Sequence, residues 1–289
     1  MSTTKMIRLV MPQWQGGNNP AYQFGAELLE WLAPASQCPV VRIPVTPSET
    51  PLVNENGIMG RTQVVSQLKA AQAALQAYSP EKVVVLGGDC LVDLAPFAYL
   101  AQKYNDSLGV LWIDAHPDVM TPAQFSHSHA HVLGALMGYG DADLTAPVTH
   151  PVAANKIMIA GLNQPNDYEK QFIAEKGINT CSPQDVKNEA NAVSEWIKRE
   201  GITCLAIHFD LDVLNYKNFR SVLFANPAAG EHDFDGIGTG QLEIFEVLAL
   251  INQVDKLTKI VGLGIAEHLP WDAINMKAML ASLPLLRSE

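Results

Sequence analysis

Positive charge is scarce in this chain: 19 Lys and Arg stand against 30 Asp and Glu, a formal net charge of −11 over 289 residues. A surface of that sign repels phosphate backbones, which argues against a nucleic-acid partner, and it mildly favours a small cationic ligand. Cysteine is scarce too. Cys38, Cys90, Cys181 and Cys204 are scattered without any C-x-x-C spacing, so neither a disulfide framework nor a zinc ribbon is indicated, and most of them read as small buried hydrophobes. No apolar run approaches the ~18 residues that span a bilayer, and the opening MSTTKMIRLV lacks the layout of a signal peptide. The expected location is the cytoplasm, away from membranes. Linkers rich in Pro, Gly or Ser, repeats and low-complexity segments are also missing, so residues 1–289 are read as a single α/β domain.

What the chain does have is a regular supply of short apolar runs. MIRLVM, CPVVRIPV, KVVVLGG, GVLWID, KIMIAGL, INTCS, LAIHFD and KIVGLGI make eight candidate strands from one end to the other. Helical patterns lie between several of them. In RTQVVSQLKAAQAALQAY the residues Val64, Val65, Leu68, Ala71, Leu75 and Tyr78 fall on one stripe, and NAVSEWIKREG stops at Gly201. Strands apolar on both faces that alternate with helices predict a three-layer αβα architecture with a mainly parallel, eight-stranded sheet.

Several of these strands end in ionisable groups. VVVLGGDC ends in Asp89 and Cys90, VLWIDAHPD in Asp114, His116 and Asp118, LAIHFDLDVL in Asp210 and Asp212, and VGLGIAEHLP in Glu267 and His268. Ligands of open α/β sheets bind beyond the carboxyl ends of the strands, so the four clusters are expected to form one acidic cup. Carboxylates so close repel one another strongly in a medium of low dielectric, and a bound cation relieves the repulsion. Oxygen donors joined by imidazole suit a hard or intermediate divalent ion, with Mn(II) the natural candidate. The carboxylates suffice for two ions with shared ligands, and such a pair can hold a hydroxide as nucleophile. Asp210 and Asp212 lie on one side of an extended segment, as strand alternation requires. Asp89 reads as an anchor for its own loop, and His208 and His268 read as structural neighbours of the cup.

GGDC, DAHPD, HAHVLGALMG, HFDLDVL and GIAEHLP occur in the order and approximate spacing of the ureohydrolases, the arginase and agmatinase family. The chain resembles that family from about residue 83 to residue 267. The resemblance implies the family's eight-stranded parallel sheet and assembly as homo-trimers or hexamers. It implies that Asp114, Asp118 and Asp210 serve one metal ion, and that Asp114 and Asp210 bridge to a second ion held also by His116 and Asp212. It further implies His129 as a proton shuttle and Glu267 as the carboxylate that holds a substrate guanidinium. Hydrolysis of a poorly electrophilic guanidinium carbon needs a strong nucleophile, a fixed substrate and a proton for the leaving amine, and these groups would fill those roles.

The chain also departs from the family it resembles. Where the family writes GGDH, with the histidine on the first metal, position 90 is a cysteine, either a softer ligand or a thiol that only fills space. Met120 stands where similar arginases place an asparagine that contacts the amino-acid end of arginine. It is the substrate-side candidate, and it cannot make those hydrogen bonds. Asn215 and Tyr216 replace the usual ending after Asp212, and Glu231, His232 and Asp233 are unassigned polar residues in a substrate-side loop. Hydrolysis of a guanidino or related amidino C–N bond, in agmatine or another guanidino compound, by a metal-bound hydroxide is the expected chemistry. A single-metal amide hydrolase or deacetylase and an inactive arginase-like binding protein are the alternatives.

Overall fold

A computed structural model describes residues 5–45 and 51–286. Eight parallel strands form its central sheet. In chain order the strands are β1 (Met6–Met11), β2 (Val40–Arg42), β3 (Asn54–Glu55), β4 (Ile58–Met59), β5 (Lys82–Gly87), β6 (Leu108–Ile113), β7 (Ile157–Ala160), β8 (Asn179–Cys181), β9 (Cys204–Asp210) and β10 (Lys259–Ala266). The sheet runs β2-β1-β5-β10-β9-β6-β7-β8, and β3 pairs with β4 in a separate antiparallel hairpin. All eight strands expected from the apolar runs are present.

Alternation divides the core between the two faces of the sheet. Val110 and Trp112 of β6 pack with Val64, Leu68, Leu75 and Leu94, while Leu111 and Ile113 pack on the other side with Val193, Trp196, Val247 and Leu250. All six β6 residues are buried, as a strand covered by helices on both faces must be. The helix Arg61–Tyr78 buries Val64, Leu68, Ala71 and Leu75 as expected. Tyr78, at its last position, is exposed, and Val65 is not among the buried residues. Their place on the inner face is taken by Gln67, whose amide donates to the Gln15 side chain at 3.0 Å. The helix Asn191–Arg199 ends just before Gly201, which adopts a left-handed φ of +61°.

The edge strand β2 covers only three residues of the run CPVVRIPV. Prolines at 39 and 44 lack the N–H that a longer pairing needs. The β3–β4 hairpin was not anticipated, although its turn residues Asn56 (φ +52°) and Gly57 (φ +87°) form the Asn-Gly pair that two-residue hairpins favour. Among the described residues, no helix is long and apolar enough to cross a membrane.

Candidate metal centre

The four strands that end in ionisable groups, β5, β10, β9 and β6, are consecutive in the sheet and parallel, so their carboxyl ends meet at one edge. Glycine makes the first turn possible. A Cβ on Gly88 would lie 1.8 Å from the Gln13 carbonyl oxygen, so only glycine lets the loop after β1 pack on the turn after β5. Asp89 ties these loops together by accepting from Leu91 N at 3.1 Å, Gly17 N at 3.2 Å and Gln13 Nε2 at 3.3 Å. Burial raises its pKa to about 7 against the pull of those donors. It is a loop anchor, as the sequence suggested, and it aims the next residue, Cys90, into the cup.

The ends of β6 and β9 use the same local device. Asp114 Oδ1 accepts from the His116 backbone N–H and Asp210 Oδ1 from that of Asp212, each at 2.7 Å. Each carboxylate caps its own turn with one oxygen. The second Asp114 oxygen takes the Trp112 indole N–H at 3.0 Å, and the second Asp210 oxygen takes the Cys90 thiol at 2.8 Å. The Cys90 sulfur also lies 3.5 Å from Glu267, whose Oε1 accepts from the Cys90 backbone N–H at 3.2 Å. Cys90 therefore faces the carboxylates.

His116 bears most directly on charge. Its Nε2–H donates to the Gly238 carbonyl at 2.9 Å, which puts the Nδ1 lone pair toward Asp212 at 3.2 Å and Asp114 at 3.5 Å. A lone pair facing two carboxylates is repelled unless a proton or a metal ion lies between them. With no ion bound, burial opposes a charge on this ring, but Asp212 and Asp114 outweigh it and hold the pKa well above the ordinary histidine value. The carboxyls respond in the same way. Burial first, then Asp212 and Asp114, push Asp210 well above the carboxylate range, and burial and Asp114 do the same to Asp118. In Glu267 burial dominates over the favourable influence of the nearby Tyr22 phenol and holds the pKa well above the carboxylate range.

Two sets of donor atoms lie within 4.8 Å of one another: Cys90, Asp114, His208 and Asp210 in one, Asp114, His116 and Asp212 in the other. They share Asp114. Asp118 joins neither set at that distance; it is buried with a left-handed φ of +49°, and its Oδ2 has no hydrogen-bond partner among the described residues. Asp212 Oδ1 and His208 Nε2 are buried and unpartnered in the same sense. Buried polar atoms rarely go unsatisfied, so unpartnered oxygens and a nitrogen gathered around carboxyls of raised pKa fit divalent cations.

His129 reaches the cup from the other side. Its backbone N–H donates to Gly16 O at 3.2 Å, its Nδ1 is buried with no hydrogen-bond partner among the described residues, and a Cβ on Gly17 would lie 2.9 Å from that nitrogen. Burial, with smaller contributions from His127 and His131, lowers its pKa to about 3, so the ring is neutral. Met120 is half-buried on the loop between Asp118 and His129, where its N–H donates to Ala130 O. Other candidates turn away. His268 Nδ1 bonds to the Gly25 carbonyl at 2.9 Å, and Asn215 Oδ1 accepts from the Lys217 backbone. His232 pairs with Asp235, and Asp233 accepts from Gly230 N, both on the exposed surface. Their loop contributes Gly238 instead.

Sequence reasoning missed two residues of this centre. Tyr22 comes from the first helix, far from any motif, and no local pattern could have revealed it. Asp93 lies three positions beyond Cys90 and bonds to His208, which the sequence offered only as a neighbour of the cup.

Known proteins share the sequence family and the fold of this chain. A profile of the Arginase family matches residues 35–286. The arginase of Entamoeba histolytica is 26% identical over 228 residues, 74% of this chain and 76% of that protein. The crystal structure of the Entamoeba enzyme in complex with L-ornithine superposes with a TM-score of 0.74 at 23% identity, covering 93% of this chain and 92% of the other. Native arginase from Bacillus caldovelox gives 0.70 at 22%, covering 99% and 100%. Formimidoylglutamase from Bacillus subtilis gives 0.65 at 14%, covering 92% and 79%. The architecture is thus the three-layer fold of these hydrolases, and with the family profile matched over most of its length the chain belongs to the arginase family.

Proposed function

We propose that this chain hydrolyses a guanidino C–N bond, taking up water and releasing urea and a protonated amine, with divalent ions held by Asp114, His116, Asp118, Asp210, Asp212 and Cys90. The observation that carries the reading is the buried Glu267 carboxylate, set 3.5 Å from the Cys90 sulfur at the rim of the donor cup. A carboxylate there can grip a flat guanidinium by two parallel hydrogen bonds and hold its carbon over the donors. The Cys90 N–H holds Glu267 in that position. Bound divalent ions, Mn(II) in our assignment, would supply water that ionises near neutral pH. His129, whose Nδ1 has no hydrogen-bond partner among the described residues, is assigned the relay of a proton to the departing amine nitrogen. Met120 cannot hydrogen-bond an amino-acid head group, which favours agmatine-like substrates over arginine.

Metal-stripped protein reloaded in turn with Mn(II), Co(II), Ni(II) and Zn(II) tests this against a panel of guanidino compounds assayed for urea and a panel of acetylated amines assayed for acetate. Urea release that Asp210→Ala abolishes is the expected outcome. Acetate alone would move the chain to amide hydrolysis, and silence from both panels would make it a non-catalytic member of its family.

A further inference from the structure

The row of residues crossing the sheet at His208 has a construction that the proposed reaction leaves unused. His208 of β9 is level with Gly264 of β10 on one side and with Trp112 of β6 on the other. The Trp112 indole stacks on the imidazole with ring centroids 3.7 Å apart and an interplanar angle of 13°. On the opposite side the absent side chain of Gly264 leaves a gap that the Asp93 carboxylate fills, since a Cβ there would lie 1.8 Å from Asp93 Oδ2. Asp93 thereby reaches across β10 and accepts the His208 Nδ1–H at 2.7 Å. Both residues are fully buried.

The ring is held on one face, on one edge and by one hydrogen bond, and its remaining nitrogen is left over. Nε2 has no hydrogen-bond partner among the described residues and points at the cup, 4.0 Å from Asp114 Oδ2. A histidine whose far nitrogen is fixed by a carboxylate has the tautomer and orientation of a metal ligand. A buried imidazole with a free lone pair and no ion in front of it would be an uncompensated polar group.

We infer that His208, positioned by Asp93, supplies the imidazole to the first ion that the cysteine at position 90 does not, so that this ion is held by Cys90 Sγ, His208 Nε2, Asp114 and Asp210. These four donors lie within 4.8 Å of one another. One sulfur, one nitrogen and two oxygens from four buried side chains form a set that zinc accepts in tetrahedral geometry and that Mn(II) takes less readily. On binding, the Cys90 thiol passes its proton to solvent and the Asp210 oxygen it occupied becomes available to the ion. The inference rests on the reading of the cup as a cation site, but not on which substrate the cup serves.

The test is made without substrate. Stripped protein is reloaded with one equivalent of Zn(II) and examined by X-ray absorption, in the wild type and in His116→Gln, which removes the other imidazole of the cup. One sulfur at about 2.3 Å and one imidazole nitrogen at about 2.0 Å are expected in both. Chelator competition should show His208→Gln losing more zinc affinity than Asp93→Asn, which should lose about 10–100-fold as removal of an outer partner does. With Co(II) in place of zinc, a thiolate charge-transfer band should appear in the wild type and vanish in Cys90→Ser. A shell of oxygens alone, loss of the imidazole in His116→Gln, or unchanged affinity in a folded His208→Gln would each overturn the inference. Failure of the urea assay with this shell intact would count against the proposed reaction only.

Discussion

The Cys90 thiol lies 2.8 Å from the Asp210 carboxylate, fully inside the acidic cup. Cys90 also packs with the apolar cluster on one face of the sheet, so it is the contact with a carboxylate that marks it as more than a space-filling thiol. This geometry bears on what a histidine would do at the same place. Cys90→His should bring a nitrogen donor to the cup and raise Mn(II) affinity, measured by calorimetry on stripped protein, while overpacking costs the metal-free form about 1–3 kcal/mol. Unchanged or weaker manganese binding together with a lower melting temperature would show that position 90 is not a ligand position.

His129 should matter to turnover and not to metal. Among the described residues its Nδ1 has no hydrogen-bond partner and it belongs to neither donor set. His129→Asn is therefore expected to lower kcat by about 10²–10⁴-fold while metal content and melting temperature stay near the wild type. Loss of bound metal in that variant would place His129 in the coordination shell and remove it from the proton path.

The neighbouring His131 gives the protein an acid sensitivity of its own. Burial, opposed by its hydrogen bond to the Phe125 carbonyl, lowers its pKa from 6.5 to about 4. Below pH 6.5 the unfolded chain takes up a proton here that the folded chain refuses until about pH 4, so stability is lost as pH falls through that window. A glutamine can donate to the same carbonyl without titrating. Between pH 7 and pH 5 the stability of wild type relative to His131→Gln should therefore fall by about 2 kcal/mol, measured by denaturant melts in chelator. A gap that does not move with pH would mean that His131 is as exposed to protons in the fold as in the unfolded chain.

Much of this molecule was legible in its sequence for a physical reason. Strands buried on both faces must be apolar throughout, so β6 and β9 announce themselves, and the ionisable groups at their ends stand out against them. β9 ends at Asp210, and Asp212 lies in the 3-10 turn that Asp210 caps, so that turn and not strand alternation brings the two together; alternation along β9 accounts for His208, two residues before Asp210. What alternation could not show was His208's partner, because the Asp93 contact depends on the gap at Gly264, a residue 171 positions away in the chain that meets it only through the sheet order. Tyr22 was invisible for a similar reason, since its place beside Glu267 is set by how the first helix packs and not by any spacing. The stripe on Arg61–Tyr78 misassigned its ends. A helix of 18 residues outruns the surface it covers, and the last turn, carrying Tyr78, projects into water.

The central claim is that the cup exists to hold divalent cations. Protein purified without chelator should carry bound divalent metal by elemental analysis, and exhaustive chelation should lower its melting temperature by roughly 5–8 °C when the metal had been present at about a hundred times its dissociation constant. No metal in the untreated protein and a melting temperature indifferent to chelation would contradict the metal-centre reading and with it the proposed chemistry.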